Sequence, residues 1–74
     1  MKAVEIQNFA RTTLLALSDV VRRDIGRRLF NIAAGNHQDL VSYGGGVYSF
    51  KVRDEVTVYV EERIDRVIVF HIVR

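Results

Sequence analysis

The hydrophobic residues between Ser18 and Gly35 recur with the period of an α-helix. They are spaced four, four and three residues apart and therefore share one helix face: Val21, Ile25, Leu29 and Ile32. Ser18 is a favourable N-cap, and Asp19 places a negative charge where the helix dipole favours it. Gly35 supplies the left-handed residue at which many helices end. We therefore predict a helix that begins after Ser18 and ends at Gly35.

A short strand and a first helix are predicted before this segment. Apolar and polar residues alternate from Lys2 to Gln7, which is typical of a strand with one exposed face. Asn8 is a residue type that caps helices, and the segment from Phe9 to Leu17 follows it. We predict a helix over that segment.

After a polar loop over residues 36–42, the hydrophobic period changes from 3.6 to 2 residues. Three alternating runs span residues 47–52, 56–61 and 67–73, with turns predicted at residues 53–55 and 62–65. The last run is apolar on both faces, as expected for a strand inside a sheet. Simple alternation places His71 on the same face as Val67 and Val69.

These elements predict a single α+β domain over residues 1–74, with the order β-α-α-β-β-β. Strands joined by short turns pair antiparallel, so the last three strands should form a meander. The helical hairpin must bury its apolar stripe against one face of the sheet. We therefore predict a small antiparallel sheet of four strands, with both helices on one face and the C-terminal strand inside.

Three consecutive glycines, Gly44 to Gly46, lie between aromatic residues. A loop that cradles phosphate needs its glycines between a strand and the N-terminus of a helix. Here the glycines follow a helix and precede a strand, and no lysine-serine or lysine-threonine pair comes after them. We interpret them as a steric requirement, because glycine permits the positive φ of a sharp turn.

The composition excludes several classes of protein. The chain has 74 residues, no cysteine and no proline, and 49% of its residues are hydrophobic. Without cysteine, neither a disulfide nor a thiolate metal site can form. No apolar run approaches the roughly 18 residues that span a bilayer, and the N-terminus lacks a signal-peptide pattern. We expect a cytoplasmic protein with no membrane segment, no metal ion and no other cofactor.

Arginines crowd two turns of the second predicted helix: Arg22, Arg23, Arg27 and Arg28. Asp24 is the only acidic residue among them. One interpretation is an ordinary solvated helix face. The other is a surface for phosphate groups, because arginine grips phosphate through two parallel hydrogen bonds. We predict that these arginines contact the functional partner, either a nucleic acid or an acidic protein.

The histidines and the remaining acidic residues form no recognisable catalytic or metal-binding motif. His71 lies in a doubly apolar strand, which favours a hydrogen-bonded core or rim residue over a general acid or base. His37 lies in a polar loop and is expected to be exposed. The acidic residues around the second turn are interpreted as solvated charges: Glu61, Glu62 and Asp65.

Two long segments resemble the RelE/ParE toxin superfamily. Residues 4–36, VEIQNFARTTLLALSDVVRRDIGRRLFNIAAGN, are similar to its first strand, helical hairpin and basic second helix. Residues 40–74, LVSYGGGVYSFKVRDEVTVYVEERIDRVIVFHIVR, are similar to its glycine-rich turn, three-stranded meander and apolar last strand. This resemblance covers nearly the whole chain. It implies the toxin of a type II toxin–antitoxin pair, with an antitoxin protein as the partner.

RelE-like members of that superfamily cut mRNA in the ribosomal A site without a metal, whereas ParE-like members poison DNA gyrase. The resemblance to the RelE branch implies a ribosome-dependent endoribonuclease that inhibits translation, with cations stabilising the transition state. It places Lys51 at a basic position of the first meander strand and Arg74 at the basic end of the last, both as catalytic residues. Arg53 joins the helix arginines as an expected nucleic-acid contact.

Two departures from the superfamily reduce the expected catalysis. Val56 stands where an arginine is common early in the second meander strand, although Tyr59 matches the pattern. The sequence also stops at Arg74, before the C-terminal tail that often carries a catalytic tyrosine. We therefore expect weak or absent mRNA cleavage, with binding as the surviving function.

The sequence leaves a second class of function open. A chain of this fold could be a non-enzymatic binding or regulatory module, such as a phage or plasmid regulator or a homodimeric interaction domain. The expected target is either the ribosome with its mRNA or DNA gyrase, and a homo-oligomer is also consistent with the residues.

Overall fold

The computed structural model describes residues Met1–Arg74. Two helices and five strands follow one another as β1 (Ala3–Ile6), α1 (Asn8–Leu15), α2 (Asp19–Ala33), β2 (Val41–Gly44), β3 (Val47–Val52), β4 (Val56–Glu62) and β5 (Arg66–Val73). The predicted α+β class and the predicted order of helices and strands are confirmed, with β2 added before the meander. Neither helix has the length and apolar composition that a membrane crossing requires.

The sheet has the strand order β1-β5-β4-β3-β2. Strand β5 therefore lies inside the sheet, as its two apolar faces predicted. It pairs with β1 in parallel, whereas the pairs among β2, β3, β4 and β5 are antiparallel, so the sheet is mixed. The predicted number of four strands is wrong, because Val41–Gly44 forms an edge strand. All four of its residues are exposed, so the strand needs no alternation of apolar and polar residues that the sequence could reveal.

The second helix begins and ends where the sequence predicted. The Ser18 hydroxyl accepts a hydrogen bond from the Val21 amide at 3.3 Å, and Gly35 adopts a φ of +97°. Every residue of the predicted apolar stripe is at most 5% exposed. The first helix begins at Asn8 itself, after the extended residue Gln7 and without a side-chain cap. The predicted cap at Asn8 is therefore wrong.

A single hydrophobic core lies between the two helices and one face of the sheet. Phe50 is its largest fully buried side chain, and the core also takes valines from β4 and β5. Val58, Val60 and Val67 are completely inaccessible to solvent. We call this side of the sheet the covered face.

A β-bulge in β5 changes which side chains belong to the covered face. Tyr59 pairs with His71 while the next residue, Val60, pairs with Val69, so Phe70 is an extra residue in β5. Ile72 then joins Val69 in the core, and His71 lies on the opposite side of the sheet. The predicted simple alternation through residues 67–73 is wrong for this reason.

The three glycines form the turn between β2 and β3. Gly44, Gly45 and Gly46 have φ values of +86°, +62° and +82°, which confirms the steric interpretation. Gly46 also packs against the backbone at the end of β4. Its carbonyl accepts a hydrogen bond from the Glu62 amide at 2.7 Å, and a Cβ at Gly46 would lie 2.7 Å from the Glu62 carbonyl oxygen.

Candidate functional site

Three rows of side chains cross the side of the sheet opposite the helices, which we call the open face. In the order β3, β4 and β5, its rows are Lys51, Thr57 and Val73; Ser49, Tyr59 and His71; and Val47, Glu61 and Ile68. These positions alternate along each strand with residues of the core. Lys51, Val73 and His71 are exposed. The open face thus combines a cation with hydroxyl and aromatic groups.

Aromatic rings gather around Tyr59 at the centre of the open face. Its ring centroid lies 6.1 Å from that of Tyr43, 6.3 Å from Phe70 and 5.9 Å from His71. Tyr43 shares a hydrogen bond of 2.8 Å with the hydroxyl of Ser49, which is only 4% exposed. We call the four rings the aromatic cluster. Such clusters offer flat surfaces on which nucleic-acid bases stack without regard to sequence.

Several of the predicted basic residues meet in a pocket of about 220 Å³ between α2 and the end of β3. We call it the basic pocket; its lining consists of Asp24, Arg27, Arg28, Lys51, Val52 and Arg53. Asp24 accepts a hydrogen bond from Nε of Arg53 at 2.7 Å and lies 3.7 Å from Nη1 of Arg27. One carboxylate therefore faces four cationic side chains.

The remaining arginines of α2 have different surroundings. Arg22 donates hydrogen bonds to the carbonyls of Leu15 and Leu17 at 3.2 and 2.7 Å and forms an ion pair with Asp19. It therefore ties the end of α1 to α2. Arg23 is exposed and forms none of the ion pairs in the chain. The structure thus separates the four arginines that the sequence grouped together.

A cluster around Glu62 joins three distant parts of the chain. Its carboxylate is 13% exposed and accepts hydrogen bonds from Lys2 at 2.9 Å and from His37 at 2.6 Å. Burial alone would raise the pKa of Glu62, but the hydrogen bonds and charges of Lys2 and His37 outweigh burial and lower it. The interpretation of Glu62 as a solvated charge is wrong. Its partners lie far away in the sequence, so no local pattern marks them.

No group of three or more histidine, cysteine, aspartate or glutamate side chains is arranged to hold a metal ion. The open face and the basic pocket present cations, hydroxyls, one imidazole and the Asp24 carboxylate. His71 was assigned by the sequence to the core or its rim, and the bulge instead places it beside Tyr59.

Two solved structures resemble this chain over nearly its whole length. A free double arginine-to-alanine mutant of the E. coli toxin RelE matches with a TM-score of 0.82, covering 96% of this chain and 80% of that chain. The intact E. coli RelBE toxin–antitoxin complex matches with a TM-score of 0.80, covering 97% and 94%. The chain has the RelE fold. Sequence identity is 13% in both cases, and the chain matches no protein-family model and no curated protein sequence.

Within this RelE fold, the residues predicted from the resemblance fall at different places. Lys51 lies on the open face and also lines the basic pocket, and Arg74 follows Val73 at the same end of the sheet. Val56 is 2% exposed and faces the core, so an arginine there could not reach the open face. The neighbouring open-face position is Thr57, which carries no charge.

Proposed function

We propose that this protein is a RelE-like toxin of a toxin–antitoxin pair that binds single-stranded RNA on its open face. The observation that carries the proposal is the juxtaposition of Lys51 with the aromatic cluster on an uncovered sheet surface. Lysine attracts the phosphate backbone, and aromatic rings stack against unpaired bases. The RelE fold supports the same function, since it is the fold of a toxin.

The partner that we propose is an antitoxin protein that keeps the toxin inactive. The RelBE complex, which has a chain of this fold, is a toxin–antitoxin complex. Exposed apolar side chains on the helices are available for such a partner: Phe9, Leu15, Val20 and Phe30. For the toxin itself, we propose ribosome-bound mRNA in the cytoplasm as the target.

Cleavage of that RNA is expected to be weak or absent. A metal-independent cut requires cations around the phosphate and a group that takes the proton of the 2′-hydroxyl. The open face offers Lys51 and the nearby Arg74 as cations, and the His71 imidazole is a side chain of the type that most often serves as a general base. Thr57 separates Lys51 from Val73 and adds no charge. Losing one positioned contact to the transition state typically costs about 10²–10³ in rate.

Induced expression in bacteria tests the toxin function. We expect the native chain to arrest growth, and Lys51→Gln combined with Tyr59→Ala to abolish the arrest at equal protein level. Arg66→Gln is the control for loss of a charge, because Arg66 begins β5 at the opposite end of the sheet from Lys51, where it pairs with Glu5 and Asp65. Normal growth on expression of the soluble native chain would contradict the proposal.

Primer extension on translated mRNA from the same cells measures cleavage separately. We expect little codon-specific cutting by the native chain and more by Thr57→Arg, which adds a cation beside Lys51. Robust cutting by the native chain would show that a full catalytic set is present.

A non-enzymatic regulator of the same fold is the second candidate. The uncharged residues Thr57 and Val73 beside Lys51 favour it, because they leave the open face better suited to binding than to cutting. RNA binding in vitro without growth arrest on expression would support this candidate over the toxin.

A further inference from the structure

The basic pocket lies beside the open face and shares Lys51 with it. We propose that this pocket binds a phosphate group of a single-stranded RNA whose bases lie on the aromatic cluster. This inference rests on the proposed RNA binding and adds a second contact site to it. The pocket would hold the strand where it leaves the sheet.

The charges of the pocket favour an anion. Arg27, Arg28, Arg53 and Lys51 line it, and Asp24 is the only carboxylate among them. Positive side chains that are crowded together repel one another, and one carboxylate offsets only part of that repulsion. A phosphate group would offset more, and arginine can hold it through paired, charge-assisted hydrogen bonds.

The guanidinium groups are already held in place by the protein. Arg53 uses Nε to bond Asp24, which leaves its two terminal nitrogens free to donate to a ligand. Arg28 lies over the ring of Phe50, with its Cζ 4.9 Å from the ring centroid. Binding therefore loses less side-chain entropy than it would with freely rotating arginines.

The position and lining of the pocket favour an RNA strand over an acidic peptide. Val52 is the only hydrophobic residue in the lining, so the pocket offers little surface for the apolar anchors on which peptide recognition relies. Lys51 connects the pocket to the row next to Tyr59, where bases would stack. A continuous strand with a phosphate at one point and bases at the next fits this arrangement.

RNA binding by a charge-matched pair of double variants tests the inference. The probe is a fluorescein-labelled single-stranded oligouridine of twelve residues, titrated with the full chain at several salt concentrations. The pocket variant is Arg27→Gln with Arg53→Asn; asparagine tolerates the positive φ of residue 53. The control is Arg11→Gln with Arg66→Gln, which removes the same charge at the β1 edge.

We expect the pocket variant to bind the oligouridine about tenfold more weakly than the control. The slope of log affinity against log salt should also fall by at least about 0.7, which is the contribution of one neutralised phosphate of a single strand. Equal affinity and equal slope in the two variants would overturn phosphate binding in the basic pocket, while RNA binding on the open face would still stand. No binding of the oligouridine by the native chain would overturn both.

Two further measurements keep the test decisive. If the pocket variant does not fold, the Nε–H resonances of Arg27 and Arg53 in the native chain can be followed by NMR during the titration. These resonances should shift as RNA is added, and unchanged resonances would overturn phosphate binding in the pocket.

A glutamate-rich peptide of the same net charge serves as competitor. Tighter binding of the peptide than of the oligouridine would assign the pocket to an acidic protein and would overturn the pocket as an RNA site.

Discussion

The two faces of the sheet are built from the same strands and have opposite chemistry. The covered face is apolar at its centre, where Val58, Val60 and Val67 are completely buried. The open face carries Lys51 and the aromatic cluster around Tyr59, part of it exposed. One face therefore supplies the buried apolar surface that stabilises this small domain, while the other is available for a ligand.

The largest expected effect is on stability, and it should differ between two adjacent residues that face opposite sides of the sheet. Val56→Arg would bury a charge without a partner in the core and should lower the free energy of unfolding by about 4 kcal/mol or more. Thr57→Arg places the same side chain on the open face and should change it by less than about 0.5 kcal/mol. Urea unfolding of both variants measures the difference. Similar stabilities would contradict the assignment of the faces.

The turn between β2 and β3, which follows Tyr43, should show the next largest loss of stability on substitution. Gly46→Ala adds a Cβ 2.7 Å from the Glu62 carbonyl oxygen and disfavours a φ of +82°, so a loss of about 2–3 kcal/mol is expected. Gly45→Ala is the matched control, since no atom lies within 4 Å of its Cβ position. Thermal unfolding of the pair should show the larger loss at Gly46.

The Glu62 cluster gives a pH-dependent prediction for the polar end of the covered face. Because the pKa of Glu62 is lowered in the folded state, its stabilisation is complete above the ordinary glutamate pKa of 4.5 and is lost as the pH falls through the folded pKa. Glu62→Gln should therefore cost about 1.5 kcal/mol at pH 7 and progressively less below pH 4.5. Urea unfolding across this range checks it, and a constant difference would contradict it.

Sequence patterns predicted the elements whose determinants are local. The stripe of α2 and its cap at Ser18 lie within one segment, and the doubly apolar β5 indicated its own position inside the sheet. The bulge at Phe70 could not be predicted, because a run of apolar residues permits either register. Strand β2 could not be predicted either, because its pairing at the edge of the sheet buries none of its side chains.

The candidate site was predicted only in part for a related reason. The basic residues form a visible cluster in the sequence. Contacts made in the fold decide that Arg22 bonds within the helical hairpin while others line the basic pocket beside the meander. Asp24 bonds Arg53 across 29 residues, and His71 reaches Tyr59 only through the bulge. Contacts of this kind are set by the fold and leave no periodic signal.

The smallest of these effects concerns RNA affinity on the open face. Tyr59→Ala removes the central ring of the aromatic cluster and should weaken oligouridine binding by about 1 kcal/mol, or roughly fivefold. Phe9→Ala is the control, because Phe9 is an aromatic residue that is 87% exposed on α1, away from the sheet surface. Fluorescence anisotropy should separate the two variants, and equal losses would argue against stacking on Tyr59.

Ring resonances of the aromatic residues report directly on whether RNA lies on the open face. In an NMR titration of the native chain with oligouridine, the rings of Tyr43 and Tyr59 should shift and broaden in proportion to bound RNA. The ring of Tyr48, which packs against the core and His37 on the covered face, should change little. Unchanged Tyr43 and Tyr59 resonances at saturating RNA would contradict the account.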